Sequence, residues 1–147
     1  MIKYCQIHNK KEAVIMNPLK FYLVTDTHYF ENELGAGGPA FERNMLTEQY
    51  FVKESSAIVK TVFDRIIEDK DTDIIIIPGD LTKNGEKESH KSFIKELYRI
   101  KENGKKVFVI TAGHDYNDSA YVLRGDGRVP VEGTDFADLC EMYRDFG

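Results

Sequence analysis

Three short stretches of this chain bring carboxylates together with imidazoles: Asp26-Thr27-His28, Gly79-Asp80 and Gly113-His114-Asp115. Carboxylate oxygens and imidazole nitrogens suit divalent Mn, Fe or Zn, and alternate residues of a strand-end loop, such as Asp26 and His28, can aim two donors at one ion. Taken singly, each stretch has an ordinary reading. Asp26 is then a turn or cap residue, His28 a surface histidine, Asp80 a turn between strand and helix, and His114-Asp115 a hydrogen-bonded loop pair. Their joint occurrence carries more weight. Each follows an apolar run, and unrelated turn residues have no reason all to be acids and histidines.

Those apolar runs define the elements. Lys20 to Thr25 is β-rich and ends at Asp26. The unbroken isoleucines Ile74 to Ile77 predict a parallel strand buried on both faces, and Lys106 to Thr111 predicts a third strand running into Ala112-Gly113-His114. Between the first two strands, the stripes Ile58, Val62, Ile66 and Val59, Phe63, Ile67 predict one long helix over 46–70, with Tyr50, Phe51 and Phe63 on its core face. A second helix is predicted from Glu86 to Glu102, with Phe93, Leu97 and Ile100 on one face and Asn103-Gly104 as its stop. Ala13 to Met16 is a candidate fourth strand. The stretch after Asp115, with Gly125, Gly127 and Pro130, reads as polar loop, and Thr134 as the N-cap of a closing helix carrying Phe136, Leu139, Cys140 and Tyr143. Strands alternating with helices give an α/β fold with right-handed crossovers and a mostly parallel sheet. Ligands in such sheets lie beyond the carboxyl ends of the strands. Asp26, His28, Asp80, His114 and Asp115 are therefore expected at one sheet edge.

At 147 residues the chain is sized for one domain, and 41% hydrophobic with 12% aromatic residues is enough for a core and excludes a disordered chain. Lys and Arg number 20 against 25 Asp and Glu, a net charge of −5, so there is no basic footprint for a nucleic-acid duplex. Any phosphate it handles then calls for a metal. Cys5 and Cys140 form no Cys-x-x-Cys pair or dense framework and read as reduced thiols. No apolar run reaches the roughly 18 residues of a membrane span or the 7 to 15 of a signal peptide core, so the expectation is a cytoplasmic protein without membrane partners. Lys101, Lys105 and Lys106 read as a solvated helix end, and His8 and His90 as surface or structural residues. Ser55-Ser56 lacks the Gly-x-Ser-x-Gly setting of a nucleophile elbow.

Asp26-Thr27-His28, the stretch Gly79-Asp80-Leu81-Thr82-Lys83-Asn84-Gly85-Glu86 with Ser89-His90, and Gly113-His114-Asp115 together resemble the calcineurin-like metallophosphoesterases. The bacterial branch of cyclic-nucleotide phosphodiesterases and Ser/Thr phosphatase-like phosphohydrolases is the most similar, over Phe21 to the end. The resemblance implies a metal-dependent phosphoester hydrolase, either phosphodiesterase or phosphatase, acting on a small-molecule or nucleotide phosphoester. It implies two divalent ions (Mn, Fe or Zn), a metal-activated hydroxide that attacks phosphorus in line, Asp26 and His28 on the first metal, and Asp80 bridging the two. His114 becomes the acid near the leaving oxygen and Asp115 the residue that orients it.

Two departures stand out from that pattern. Ala112-Gly113 occupies the place of the family's Gly-Asn, whose Asn binds the second metal; Asn117 or Asp118 is a possible substitute, and water is another. No histidine follows His114, where the family has further ligands. The expectation is one weak metal site at most, in residues 1–147 read as the N-terminal part of a single domain. That part is a partial metallophosphoesterase sandwich, β-α-β-α-β with helices outside, lacking its C-terminal half. Its under-covered sheet face invites self-association. The alternative is a catalytically silent metal- or phosphate-binding α/β module. A dinucleotide-binding domain is the third reading, weakened because no Gly-x-Gly-x-x-Gly follows the first strand.

Overall fold

The computed structural model describes residues 2–4 and 18–147. The candidate strand at Ala13 to Met16, Cys5 and His8 lie outside the described residues. Strands β1 (Ile2–Tyr4), β2 (Phe21–Val24), β3 (Ile74–Pro78) and β4 (Lys106–Ile110) form one sheet in the order β1-β2-β3-β4. The pairs β2–β3 and β3–β4 are parallel, as the alternation of strands and helices requires, and β1 is an antiparallel edge. Helices α1 (Pro39–Met45) and α2 (Ser55–Glu68) connect β2 to β3, and α3 (Lys87–Glu102) connects β3 to β4. A hairpin of β5 (Tyr121–Arg124) and β6 (Gly127–Pro130) follows, then α4 (Phe136–Met142). The chain is an α/β protein whose three parallel strands are flanked by helices, consistent with a partial metallophosphoesterase fold.

The main core lies on one face of the sheet. Ile75, Ile77, Val107 and Val109 pack with Val59, Phe63 and Ile66 of α2 and with Phe93, Leu97 and Ile100 of α3. Burial of apolar side chains on this scale is the main force holding the two helices to the sheet. The isoleucine run is not buried on both faces, as its composition suggested. Ile75 and Ile77 are fully buried, whereas Ile74 and Ile76 are half-covered, and on the same side Phe108 is 49% and Ile110 65% exposed. α2 and α3 pack on the same face, where right-handed crossovers between strands in sequential order place them, and the other face is left open among the described residues.

Several boundaries differ from the sequence reading. The expected helix over 46–70 begins only at Ser55, and a separate α1 starts with Pro39 at its first turn. Ser55 explains the break. Its hydroxyl donates to the Val52 carbonyl and accepts from the Phe30 amide, tying the start of α2 to the loop after β2. Tyr50 and Phe51 therefore precede the helix; only Phe63 of the three aromatics is core, and Phe51 is 73% exposed. The N-cap of α4 is Asp135, whose carboxylate accepts from the Asp138 amide at 2.7 Å. Thr134 is buried with its hydroxyl donated to the Gly85 carbonyl, so it cannot cap. Of the residues expected on the face of α4, Leu139 and Tyr143 are core while Phe136 and Cys140 are exposed. Lys105 is also no solvated residue: it is buried, and its ammonium donates to the carbonyls of Asp69 and Thr72.

The polar stretch after Asp115 contains a β-hairpin. Its two-residue turn, Gly125-Asp126, pairs Val122 with Val129 and Leu123 with Arg128. Val122 joins Phe30, Phe41 and Val52 in a second small core, against which Tyr50 packs. That satellite core holds the segment between β2 and α2 over the carboxyl ends of the strands.

Candidate metal centre

The chain turns sharply after β2 and again after β3. At those turns Asp26 (φ 54°), His28 (φ 40°) and Asp80 (φ 50°) sit in left-handed backbone conformations, and they are the only non-glycine residues with positive φ among those described. Such a conformation costs an L-residue roughly 1–2 kcal/mol, least for short polar side chains that can bond locally. Gly79 (φ 83°) precedes Asp80 and packs so close to Ala112 that a Cβ would collide with the alanine side chain. The end of β3 is thereby held against the turn after β4. His28 N–H donates to the Asp80 carbonyl at 3.0 Å and Tyr29 N–H to the Leu81 carbonyl at 2.8 Å, which locks the first loop to the second.

The result is that Asp26, His28 and Asp80 each present one donor atom, all within 4.8 Å of one another. Asp26 is exposed, Asp80 half-buried and His28 buried. His28 Nδ1 is the one buried side-chain N or O atom without a hydrogen-bond partner among the described residues. Burial is the main cause holding the His28 imidazole below its ordinary value, and His114 adds to it, while Asp80 and Asp26 pull the other way. A neutral imidazole with a free lone pair beside two carboxylates is the donor set that a hard or borderline divalent cation takes. The other buried side-chain nitrogens and oxygens among the described residues have partners, as buried polar groups ordinarily do. Three strained backbones and one orphaned nitrogen in a single cluster fit a bound metal.

His114 and Asp115 reach the same edge with different environments. The His114 amide donates to Asp80 Oδ1 at 3.2 Å, and its ring Nδ1 lies 2.9 Å from the Lys83 carbonyl. A carbonyl only accepts, so Nδ1 carries the proton there and Nε2 is left for exchange. Its ring meets His28 edge-on with centroids 5.0 Å apart, and His28 in turn stacks on Tyr50 at 3.8 Å. Asp115 is fully buried. Its Oδ1 accepts from the amides of Leu81 and Thr82 at 2.8 and 2.9 Å, and its Oδ2 from Ala112 at 2.8 Å. Burial pushes this carboxyl up against the pull of those amides. Its side-chain bonds go to the backbone on either side of the 113–115 turn, and the bond to the His114 ring comes from Lys83.

Behind Asp115 lies the ring of His90, which of the two expectations, surface or structural, meets the second. His90 is fully buried; its Nε2 sits 2.9 Å from the Asp115 carbonyl and its Nδ1 2.7 Å from the Tyr143 hydroxyl. Since the carbonyl accepts, His90 donates from Nε2 and Tyr143 donates to Nδ1, and burial lowers His90 to about 4. Asn117 and Asp118 do not turn toward the site: Asn117 binds the Asn84 carbonyl and the Ser119 amide, and Asp118 accepts from the Ser119 hydroxyl. A side chain at Gly113 would meet nothing within 4 Å of its Cβ, so the place of the family's Asn is open space. Tyr50 was missed as a site residue because it falls just before a helical stripe.

Residues 19–144 match the family model described as calcineurin-like phosphoesterase. No curated protein matches the chain. With 19–144 covering most of its 147 residues, from the loop before β2 to the turn after α4, the chain belongs to the calcineurin-like phosphoesterase family.

Proposed function

We propose that this chain is a metal-dependent phosphoester hydrolase in which Asp26, His28 and Asp80 hold a divalent ion, Mn²⁺ being the first choice. The observation that carries the reading is the coincidence of the three left-handed residues with the three converging donors. Strain of this kind persists only where the surroundings impose it, and it clusters at working sites. In this family such an ion supplies a water that ionises near neutral pH and positive charge against the phosphoryl oxygens. Asp80 is the bridging candidate, since it lies on the central strand end. His114 keeps Nδ1 on the Lys83 carbonyl and gives a proton from Nε2 to the departing oxygen. Asp115, buried and saturated, is a positioning residue. Net charge −5 leaves phosphate binding to the metal and to Lys83. No described helix is long and apolar enough to cross a membrane, and with two widely spaced cysteines this supports a cytoplasmic setting.

Gly113 favours a second reading, a silent module that binds metal without turnover, because the third motif offers no side chain toward a second ion. Hydrolysis of bis(p-nitrophenyl) phosphate with Mn²⁺ separates the two. Turnover that depends on Mn²⁺ and disappears in Asp80→Asn supports the hydrolase. Metal binding without any turnover supports the silent module. Self-association through the open face bearing Phe108 and Ile110 is also proposed, and a monomer in sedimentation at high concentration would exclude it.

A further inference from the structure

Tyr50 lines two cavities that meet the metal centre from different neighbours. One, of about 270 Å³, takes in Asp26 and His28 and is walled by Val24, Val59 and Val62, with Ile58 and Phe51 at its mouth. The other, of about 330 Å³, takes in His114, with Lys83, Asn84, Glu48 and Glu86 on its polar side and the satellite core of Phe30, Phe41, Val52 and Val122 on the other. The difference between them is the charge beside His114. The first is mainly apolar on the side of α2, with Thr25, Gln49 and Ser55 also in its lining, and it includes two large apolar side chains, Ile58 and Phe51, that are 47% and 73% exposed. The second holds an ion pair, Lys83 with Glu48 at 2.9 Å, together with the amide of Asn84 and the buried carboxyl of Glu86.

A phosphorus atom held at the triad has His114 on the side of the polar cavity. The group that leaves must take the proton of His114 Nε2, so it departs into the polar cavity. Whatever remains esterified to phosphorus has the apolar cavity beside Asp26 and His28 to occupy. Roughly 150 Å³ of apolar cavity is enough to hold a benzene ring, so the 270 Å³ space takes an aryl or short alkyl group. Exposed apolar side chains at the mouth of a concave site beside a polar centre are the signature of a ligand surface.

Resting on the metal-dependent reading above, we propose that the cavity between the Gln49–Phe51 loop and α2 is a subsite for an apolar ester arm. The substrate is then a phosphodiester with one apolar substituent and one polar leaving alcohol. Hydrolysis breaks the P–O bond to the alcohol and forms one from water oxygen. The alcohol oxygen gains its proton from His114, the water gives up a proton in return, and the products are the alcohol and a phosphomonoester that keeps the apolar arm.

The test uses the full chain and two monoanionic diesters that differ by one ring, dimethyl phosphate and methyl phenyl phosphate. Binding of Mn²⁺ is measured first by the loss of the free-ion electron-spin signal. Affinity for each diester is then read from the relaxation that bound Mn²⁺ confers on the ligand's methyl protons. Burying a ring predicts about 10-fold tighter binding of methyl phenyl phosphate. The preference disappears in Ile58→Asp and in Phe51→Ser, both at exposed positions, while Mn²⁺ and dimethyl phosphate bind as before. Equal affinity for the two diesters on the Mn²⁺-loaded chain overturns the subsite and leaves the metal centre standing. A preference that survives in both variants overturns its location. Failure to bind Mn²⁺ removes the metal reading, and this inference with it.

Discussion

Two polar clusters sit a few residues apart at the same sheet edge, and they are built on opposite principles. Asp115, Thr82, His90 and Tyr143 are buried, and the donors and acceptors on their side chains are matched by partners within the protein. Asp26, His28 and Asp80 lie on strained backbone, with an orphaned ring nitrogen and carboxylates turned toward one another. The first cluster stabilises the fold, whereas the second is held in place by the fold at a cost. Titratable residues of neighbouring motifs can thus serve opposite ends, and what separates them is the left-handed backbone of Asp26, His28 and Asp80 and the unpartnered His28 Nδ1.

If that contrast is right, removing members of the two clusters must have effects of different size and opposite sign. Asp115→Ala strands the amides of Leu81, Thr82 and Ala112 in a buried site. At about 1–3 kcal/mol for each unpaired buried group, urea denaturation should show a loss on the order of 4 kcal/mol. A loss under about 1 kcal/mol would mean that the network is not structural.

The His90 ring tests the same cluster through pH. Its folded value of about 4 lies below the ordinary 6.5, so between those values the unfolded chain binds the extra proton. The stabilisation is fully present above pH 6.5 and is lost as pH falls toward 4, on the order of 3 kcal/mol in all. Buried Glu86 and Asp115 have raised carboxyls and act with the opposite sign in this range. The His90 share is therefore the difference between the native chain and His90→Gln, followed by chemical denaturation from pH 7 to 4. Parallel curves for the two proteins would contradict the assignment.

Asp26→Gly sharpens the other side of the comparison. It relieves a left-handed residue while adding chain entropy to the unfolded state, for a net gain of about 0.5 kcal/mol in metal-free stability. It should also weaken Mn²⁺ binding. A clear destabilisation without metal would show that Asp26 supports the fold after all. The smallest effect on stability is expected of Gly113→Asn, within about 0.5 kcal/mol, because its side chain enters open space. There the readout is stoichiometry, with a second Mn²⁺ equivalent expected and an unchanged single equivalent opposing the match to the family position.

The sequence carried the three parallel strands and α3 openly, because apolar periodicity and the Asn103-Gly104 stop are local signals. It also carried the five strand-end residues, since the topology of alternating strands and helices forces them together. The strain at Asp26, His28 and Asp80 was hidden, as none is a glycine. The support beneath the site was hidden too: Asp115 bonds amides more than thirty positions away, and His90 meets Tyr143 across 53 positions. The hairpin did leave a trace in Arg124-Gly125-Asp126-Gly127 between Val122 and Val129, a turn signal that a polar composition masked. Tyr50 left none, because its place depends on the satellite core formed by Phe30, Phe41, Val52 and Val122.

The most direct measurement is a Mn²⁺ titration of the full chain beside Asp80→Asn, with circular dichroism confirming that both are folded. Saturable binding to the native chain that is lost in Asp80→Asn is the result predicted here. Equal binding by both, or none by the folded native chain, would contradict a metal centre at the strand ends.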